Sequence, residues 1–251
     1  MVASDEATAP AFLLEGVEKS FGALKALDGL TLRVDPGEMY GFLGPNGSGK
    51  TTAIRVALGL TRLDKGVARV FGADAPPRSV IHRVGFVPQE PALYRDLTVR
   101  ENLELFADIF GLARGRWEER FAHVLEFANL QDREGEIVRN LSGGMVRRTS
   151  IAAAMVHDPD LLVLDEPTVG IDPELRASFW AHFAELKAQG KSILITTHYI
   201  DEARRCDRVG FVRAGKLVAE GPPDELLRAT HTSSLEDAFL SYVRRAAGAP
   251  G

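Results

Sequence analysis

The amino-acid sequence predicts an α/β fold with a largely parallel sheet, a small antiparallel β-layer and a helical insertion. Three observations carry this. Strand-like and helix-like segments alternate along most of the chain, the pattern of helices packed on a parallel sheet. Leu161–Leu164 and Ser192–Thr197 are apolar without alternation, as expected of strands covered on both faces. The stretch from about Glu90 to His157 is almost purely helical, and the strand-rich early section is the place for the antiparallel layer.

In chain order, Phe12–Val17, Leu30–Val34 and Met39–Leu43 read as strands. Lys50–Gly59 reads as a helix closed by its glycine. Val67–Phe71 and Val84–Val87 are two more short strands. Thr98-Val-Arg-Glu101 is a capping box opening a helix that runs towards Phe110 and Gly111. Trp117–Phe127 and Gly143–His157 are apolar-periodic helices, the second ended by Asp158-Pro159. Asp172-Pro173 starts a helix lasting to about Ala188, with Gly190 past its end. Ser233-Ser-Leu-Glu236 reads as another capping box, opening a short helix with Leu235, Phe239, Leu240 and Val243 apolar.

Composition narrows the class. At 251 residues, 26% charged and 45% hydrophobic, this is an ordinary globular chain able to bury a real core. The balance of 30 Lys+Arg against 35 Asp+Glu, net -5, argues against non-specific nucleic-acid binding. Its single cysteine, Cys206, excludes an intramolecular disulfide and suits a reducing compartment. Apolar runs such as Ile151–Val156 fall far short of the ~20 residues of a membrane span. The N-terminus lacks the layout of a secretory signal. A cytoplasmic location is the expectation, with the first ten residues and Ala246–Gly251 as loose ends.

Gly44-Pro45-Asn46-Gly47-Ser48-Gly49-Lys50-Thr51 fits G-x-x-x-x-G-K-[ST] between a strand and a helix. A chain this long matches that pattern by accident on the order of one per cent of the time. Glycines let the backbone fold into a nest of N–H groups aimed at phosphate oxygens, aided by the helix N-terminus. Lys50 then neutralises the β- and γ-phosphates, and the Thr51 hydroxyl holds Mg²⁺. Leu161-Leu-Val-Leu-Asp165-Glu166 ends a buried strand with two carboxylates. Asp165 suits the Mg²⁺ shell and Glu166 the base that takes a proton from water.

Leu141-Ser142-Gly143-Gly144-Met145 is odd on local grounds, since two glycines in a first helical turn cost roughly 1 kcal/mol each relative to alanine. Either Ser142 is an N-cap followed by loop glycines, or bare backbone must approach a ligand closely. One chain thus carries two phosphate-seeking helix starts and one set of metal and base residues.

Together these motifs resemble the nucleotide-binding subunits of ATP-binding-cassette (ABC) transporters, over residues 11–220 and in the family's order. The resemblance implies a RecA-like P-loop NTPase core, ATP and Mg²⁺, and two domains facing head-to-tail, each ATP lying between one phosphate loop and the partner's signature helix. By position, Gly44–Thr51 match Walker A, with Thr52 also near the phosphates. Leu161–Asp165 match Walker B, Glu166 the catalytic glutamate, and Leu141–Met145 the signature. Gln89 matches the Q-loop glutamine that senses Mg²⁺ and the γ-phosphate; taken alone it reads as a surface loop residue. His198 matches the histidine that contacts the γ-phosphate and helps hold the attacking water. Phe21 matches the aromatic stacked on adenine, or is a core phenylalanine. Asp172 matches the D-loop aspartate and is equally a good N-cap. Met145 stands where glutamine is common, and Val169-Gly170-Ile171-Asp172 replaces the commoner Ser-Ala-Leu-Asp. Neither departure removes a charge or a phosphate-facing N–H.

The resemblance further implies a single nucleotide-binding domain over 11–251: β-layer and core from 11–88 and 158–220, helical subdomain from 89–157, tail from 221–251. Its partners are a membrane-spanning permease subunit and a second ABC subunit, in a homodimer formed on ATP. That places the chain on the inner face of the cell membrane, with no nucleic acid expected. Leu235–Leu240 and Thr196–Ala203 look similar to ATPases of the ABC-2 export class, which serve drugs, lipids and polysaccharides. A non-transport ABC ATPase acting on ribosomes or DNA is the alternative, but it usually brings fused cassettes, coiled coils or iron–sulfur cysteines. A P-loop GTPase would need Asn-Lys-x-Asp, which the chain lacks, and neither it nor a small-molecule kinase explains Leu141–Met145. Pro91-Ala-Leu-Tyr94 places apolar side chains in a loop, either tucked onto its own domain or offered to the permease from within Gln89–Asn102.

Overall fold

Glycines inside apolar segments give the first departure from simple strand periodicity. In the computed structural model, which describes residues 9–246, strand β1 runs Phe12–Phe21 and β2 runs Leu24–Val34. Both exceed the expected spans, Phe12–Val17 and Leu30–Val34, and Gly16, at φ 58°, forms a bulge inside β1. Its N–H is taken by Thr31 Oγ1 at 3.0 Å, and the pairing register shifts between Leu14 and Val17. With β4 (Lys65–Val70) and β5 (Ala73–Asp74) these strands form an antiparallel sheet in the order β2-β1-β4-β5, the expected β-layer.

The chain divides into two compact units, Ile81–Lys191 and the segments before and after it. In the unit formed by the flanking segments, β3 (Met39–Leu43) lies between β8 (Ser192–Thr197) and β9 (Arg208–Arg213), parallel to both. All residues of β3 and β8 are buried, which explains their largely apolar sequences. The hairpin of β9 and β10 (Lys216–Gly221) was not anticipated. Its turn is Ala214-Gly215, both at positive φ (47° and 75°), without the Asn-Gly or Asp-Gly signature of such turns. Helix α1 spans Lys50–Ala57. The short α6 (Ile200–Ala203), α7 (Pro223–Thr230) and α8 (Leu235–Ala246) complete this unit. Ser234, not Ser233, caps α8: its Oγ accepts from the Asp237 N–H at 3.1 Å. The box slides by one because Leu235 then opens the helix fully buried.

In the Ile81–Lys191 unit, β6 (Val84–Val87) pairs in parallel with β7 (Leu161–Asp165). Helices α2 (Val99–Ile109), α3 (Trp117–Phe127), α4 (Gly143–Met155) and α5 (Pro173–Ala188) surround a core that includes Phe121, Val163, Phe179 and Phe183. The capping box of α2 is present in both directions: Glu101 N–H to Thr98 Oγ1 at 3.1 Å and Thr98 N–H to Glu101 Oε2 at 2.7 Å. The stretches expected to be loose fall mostly outside the described residues. Among the described residues, no helix is long and apolar enough to cross a membrane.

Candidate functional site

The phosphate-type loop links β3 to α1. Gly49 is the N-cap of α1 at φ 111°, with no side chain capping the helix and no acidic residue in its first turn, so the helix start favours an anion. Pro45, Asn46 and Gly47 are exposed, whereas Gly44, Ser48, Gly49 and Lys50 are buried and Thr51 and Thr52 half-buried. Lys50 Nζ donates to the carbonyl of Gly44 at 2.7 Å and of Pro45 at 3.1 Å. Ser48 Oγ is buried and, among the described residues, has no hydrogen-bond partner; such an atom normally has one, and a ligand oxygen would supply it.

Two glycines of the motif are required by packing. A Cβ on Gly44 would lie 2.4 Å from the Val212 carbonyl oxygen, and one on Gly49 2.7 Å from that of Ala26. The β9–β10 turn holds the loop from behind, since Gly215 N–H donates to Ser48 O at 2.9 Å while Gly215 O accepts from Asp28 N–H at 3.0 Å. That support escaped the sequence reading because it joins residues far apart in the chain.

In the same unit, His198 follows β8, is exposed, and lies against Tyr199 with the rings tilted and their centroids 4.3 Å apart. Phe21 closes β1 with 52% of its surface exposed and Lys19 Nζ 5.3 Å from its ring centre, so it is not a core phenylalanine.

In the other unit, Asp165 is the last residue of β7 and Glu166 follows it, 1% and 7% exposed. Glu166 sits at φ 51°, a left-handed conformation costing roughly 1–2 kcal/mol for a residue with a Cβ. The carbonyls of Asp165 and Glu166 accept from Arg147 of α4 at 2.7 and 2.6 Å. No sequence signal had singled out Arg147. Gln89 is exposed in the loop after β6.

Ser142 is the N-cap of α4, accepting from Met145 N–H at 3.3 Å, and Gly143 and Gly144 open the helix itself. Neither glycine is demanded by its surroundings: a Cβ on Gly143 meets nothing within 4 Å, and one on Gly144 meets only Gly170 O at 3.7 Å. Asp172 caps α5 by accepting from Leu175 N–H at 2.9 Å, with Pro173 following. Tyr94 is 59% exposed. Its loop is pinned by the buried Asn102, whose side chain accepts from Tyr94 N–H at 2.9 Å and donates to Tyr94 O at 3.1 Å. Among the described residues no cluster of three His, Cys, Asp or Glu side chains could hold a metal by itself.

With this geometry in hand, comparison with known proteins places the chain. The family described as ABC transporter matches residues 27–169. Nod factor export ATP-binding protein I of Paraburkholderia xenovorans (strain LB400) is 45% identical over 214 residues, covering 84% of this chain and 70% of the relative. A solved structure of the ATP binding subunit of an ABC transporter superposes with a TM-score of 0.86 at 29% identity, covering 93% of this chain and 99% of that one. The dimeric structure of a bacterial ABC transporter cassette gives a TM-score of 0.79 at 26% identity, covering 84% and 98%. A phosphate-type loop, a carboxylate-ended buried strand and a glycine-led helix, in a chain alike over most of its length to such proteins, have one explanation: the chain belongs to the ABC transporter family, among its ATPase subunits.

Proposed function

We propose that the chain binds Mg²⁺-ATP, pairs with a second ABC subunit on ATP, and by hydrolysis drives a separate membrane-spanning permease in the export direction. The observation that carries this reading is the pair of glycine-bearing helix starts. Gly44–Thr51 is a glycine-built loop at an uncapped helix start, whereas among the described residues nothing crowds a Cβ on Gly143 or Gly144. Bare backbone at the start of α4 suits the nucleotide of a second subunit. The export direction draws support from the relative named for Nod factor export, and the cytoplasmic face of a membrane is the corresponding location.

The family's roles fall on residues whose chemistry suits them. Lys50 neutralises the β- and γ-phosphates, the main-chain N–H groups of Gly44–Gly49 cradle them, and Ser48 Oγ gains the partner it lacks. Thr51, Asp165 and Gln89 carry the hard oxygen donors that would hold Mg²⁺. The chemistry such an ion would supply is neutralisation of charge developing on the phosphate oxygens. Water attacks the γ-phosphorus in line, Glu166 accepts its proton, and the bond to the ADP oxygen breaks, leaving ADP and phosphate. His198 holds the water and the γ-phosphate in position. Thr52 lies beside the phosphates, Phe21 offers an exposed ring to adenine, and Ser142, Gly143, Gly144 and Asp172 face the partner's nucleotide. Residues 89–157 act as the helical subdomain and the segment around Tyr94 as the permease contact.

Phosphate release from Mg²⁺-ATP by the purified chain, lost on chelation, tests the enzyme. Co-purification in mild detergent tests the partner: a polytopic membrane protein is expected, whereas ribosomes or DNA would overturn the transport reading.

A further inference from the structure

Arg147 is 5% exposed in the second turn of α4, a rare place for a guanidinium. Its hydrogen bonds account for all five of its N–H donors. Nε donates to Pro167 O at 3.0 Å. Nη1 donates to Pro88 O at 2.5 Å and Gln89 O at 2.9 Å, and Nη2 to Asp165 O and Glu166 O at 2.7 and 2.6 Å. Every acceptor is a main-chain carbonyl. The five lie on two separate segments, the loop after β6 and the turn after β7, each bearing a residue of the proposed hydrolytic set.

The grip on Glu166 is specific. The carbonyls of Asp165 and Glu166 belong to the two peptide planes that flank the Glu166 Cα, and the orientations of those planes define its φ and ψ. Glu166 is held at φ 51°, and strained backbone of this kind persists where its surroundings over-determine it. Charge-assisted bonds from one rigid, planar donor do this.

We propose that Arg147 is a positioning residue for hydrolysis, fixing the Glu166 backbone, and so the aim of its carboxylate, relative to the loop that carries Gln89. This rests on the functional reading above. Lysine keeps the charge but offers only three donors, on a flexible stem, to the five carbonyls. Methionine keeps the bulk and removes the donors.

The test is ATPase kinetics of the full chain carrying Arg147→Lys or Arg147→Met, each also combined with Glu166→Gln. For Arg147→Lys, kcat should fall roughly ten- to a hundredfold, the cost of a misaimed catalytic group, with the KM for ATP unchanged within about twofold. Arg147→Met should fall further, so that lysine is a partial rescue. In the Glu166→Gln background the same substitutions should change the residual rate by less than about twofold, because there is no base left to aim. An unchanged kcat in Arg147→Lys, or an equal loss in both backgrounds, overturns the proposal. Hydrogen exchange on the unaltered protein gives a second measurement that does not depend on a variant folding. Amides of 86–91 and 163–169 should open together, and independent opening overturns the proposal. If the unaltered chain releases no phosphate, or Glu166→Gln is fully active, the functional reading itself falls. If those controls behave and Arg147→Lys does not, only the positioning role falls.

Discussion

The ammonium of Lys50 donates to the carbonyl of Gly44 at 2.7 Å, so the first residue of α1 reaches back over the loop that precedes it. A cation is thereby held beside the main chain of Gly44 and Pro45, where the proposed polyphosphate would meet it. Preorganised charge of this kind stabilises a transferring phosphoryl group without reorganisation at the moment of reaction.

Lys50→Ala should therefore lower ATPase turnover by roughly 10²–10³-fold, read as phosphate release at saturating ATP. A variant with wild-type turnover would remove Gly44–Thr51 from the site.

Glu166→Gln keeps the size of the side chain and loses its basicity. Turnover should fall ~10²–10⁴-fold while ATP binding persists. With hydrolysis blocked, the ATP-bound pair of subunits should accumulate and elute as a dimer. A variant that stays monomeric at saturating ATP would contradict the head-to-tail arrangement.

Tyr94→Asp tests docking apart from chemistry. Tyr94 is 59% exposed while Asn102 fixes its main chain from the buried side, so the substitution should leave folding and the ATPase of the isolated subunit near normal. Co-purification with the permease should weaken. An intact complex would place the contact elsewhere.

His157 gives a pH dependence. Its ring stacks on Phe110 with centroids 3.8 Å apart, and Nε2 donates to Val84 O at 3.1 Å. Burial lowers its pKa to about 4. Between the ordinary value near 6.5 and about 4, the unfolded chain binds the proton and the folded chain does not, so stability falls as pH falls. The full loss is roughly 3 kcal/mol once pH is below the folded pKa. Denaturant midpoints of the unaltered protein should drop more steeply than those of His157→Gln from about pH 7 to about pH 4.5, and parallel slopes would refute this.

What the sequence determined by itself is what local hydrogen bonding determines. The Thr98–Glu101 box, the Asp172 cap and the Gly49–Lys50 helix start each depend on groups within a few residues, so their spacing is written in the chain. The largely apolar runs of β3, β7 and β8 are legible for a related reason: burial on both faces leaves no alternating polar face. Tertiary structure decided the rest. Gly16 carries no local mark of a bulge, and its N–H finds Thr31 Oγ1 on the facing strand. The β9–β10 turn has no sequence signature, yet it holds the phosphate loop through Ser48. Nothing local marks Arg147, whose partners lie 18 to 59 residues away. A side chain's chemical type is fixed where it stands in the sequence, but its acceptors are set by which distant carbonyls folding brings within 3 Å of it.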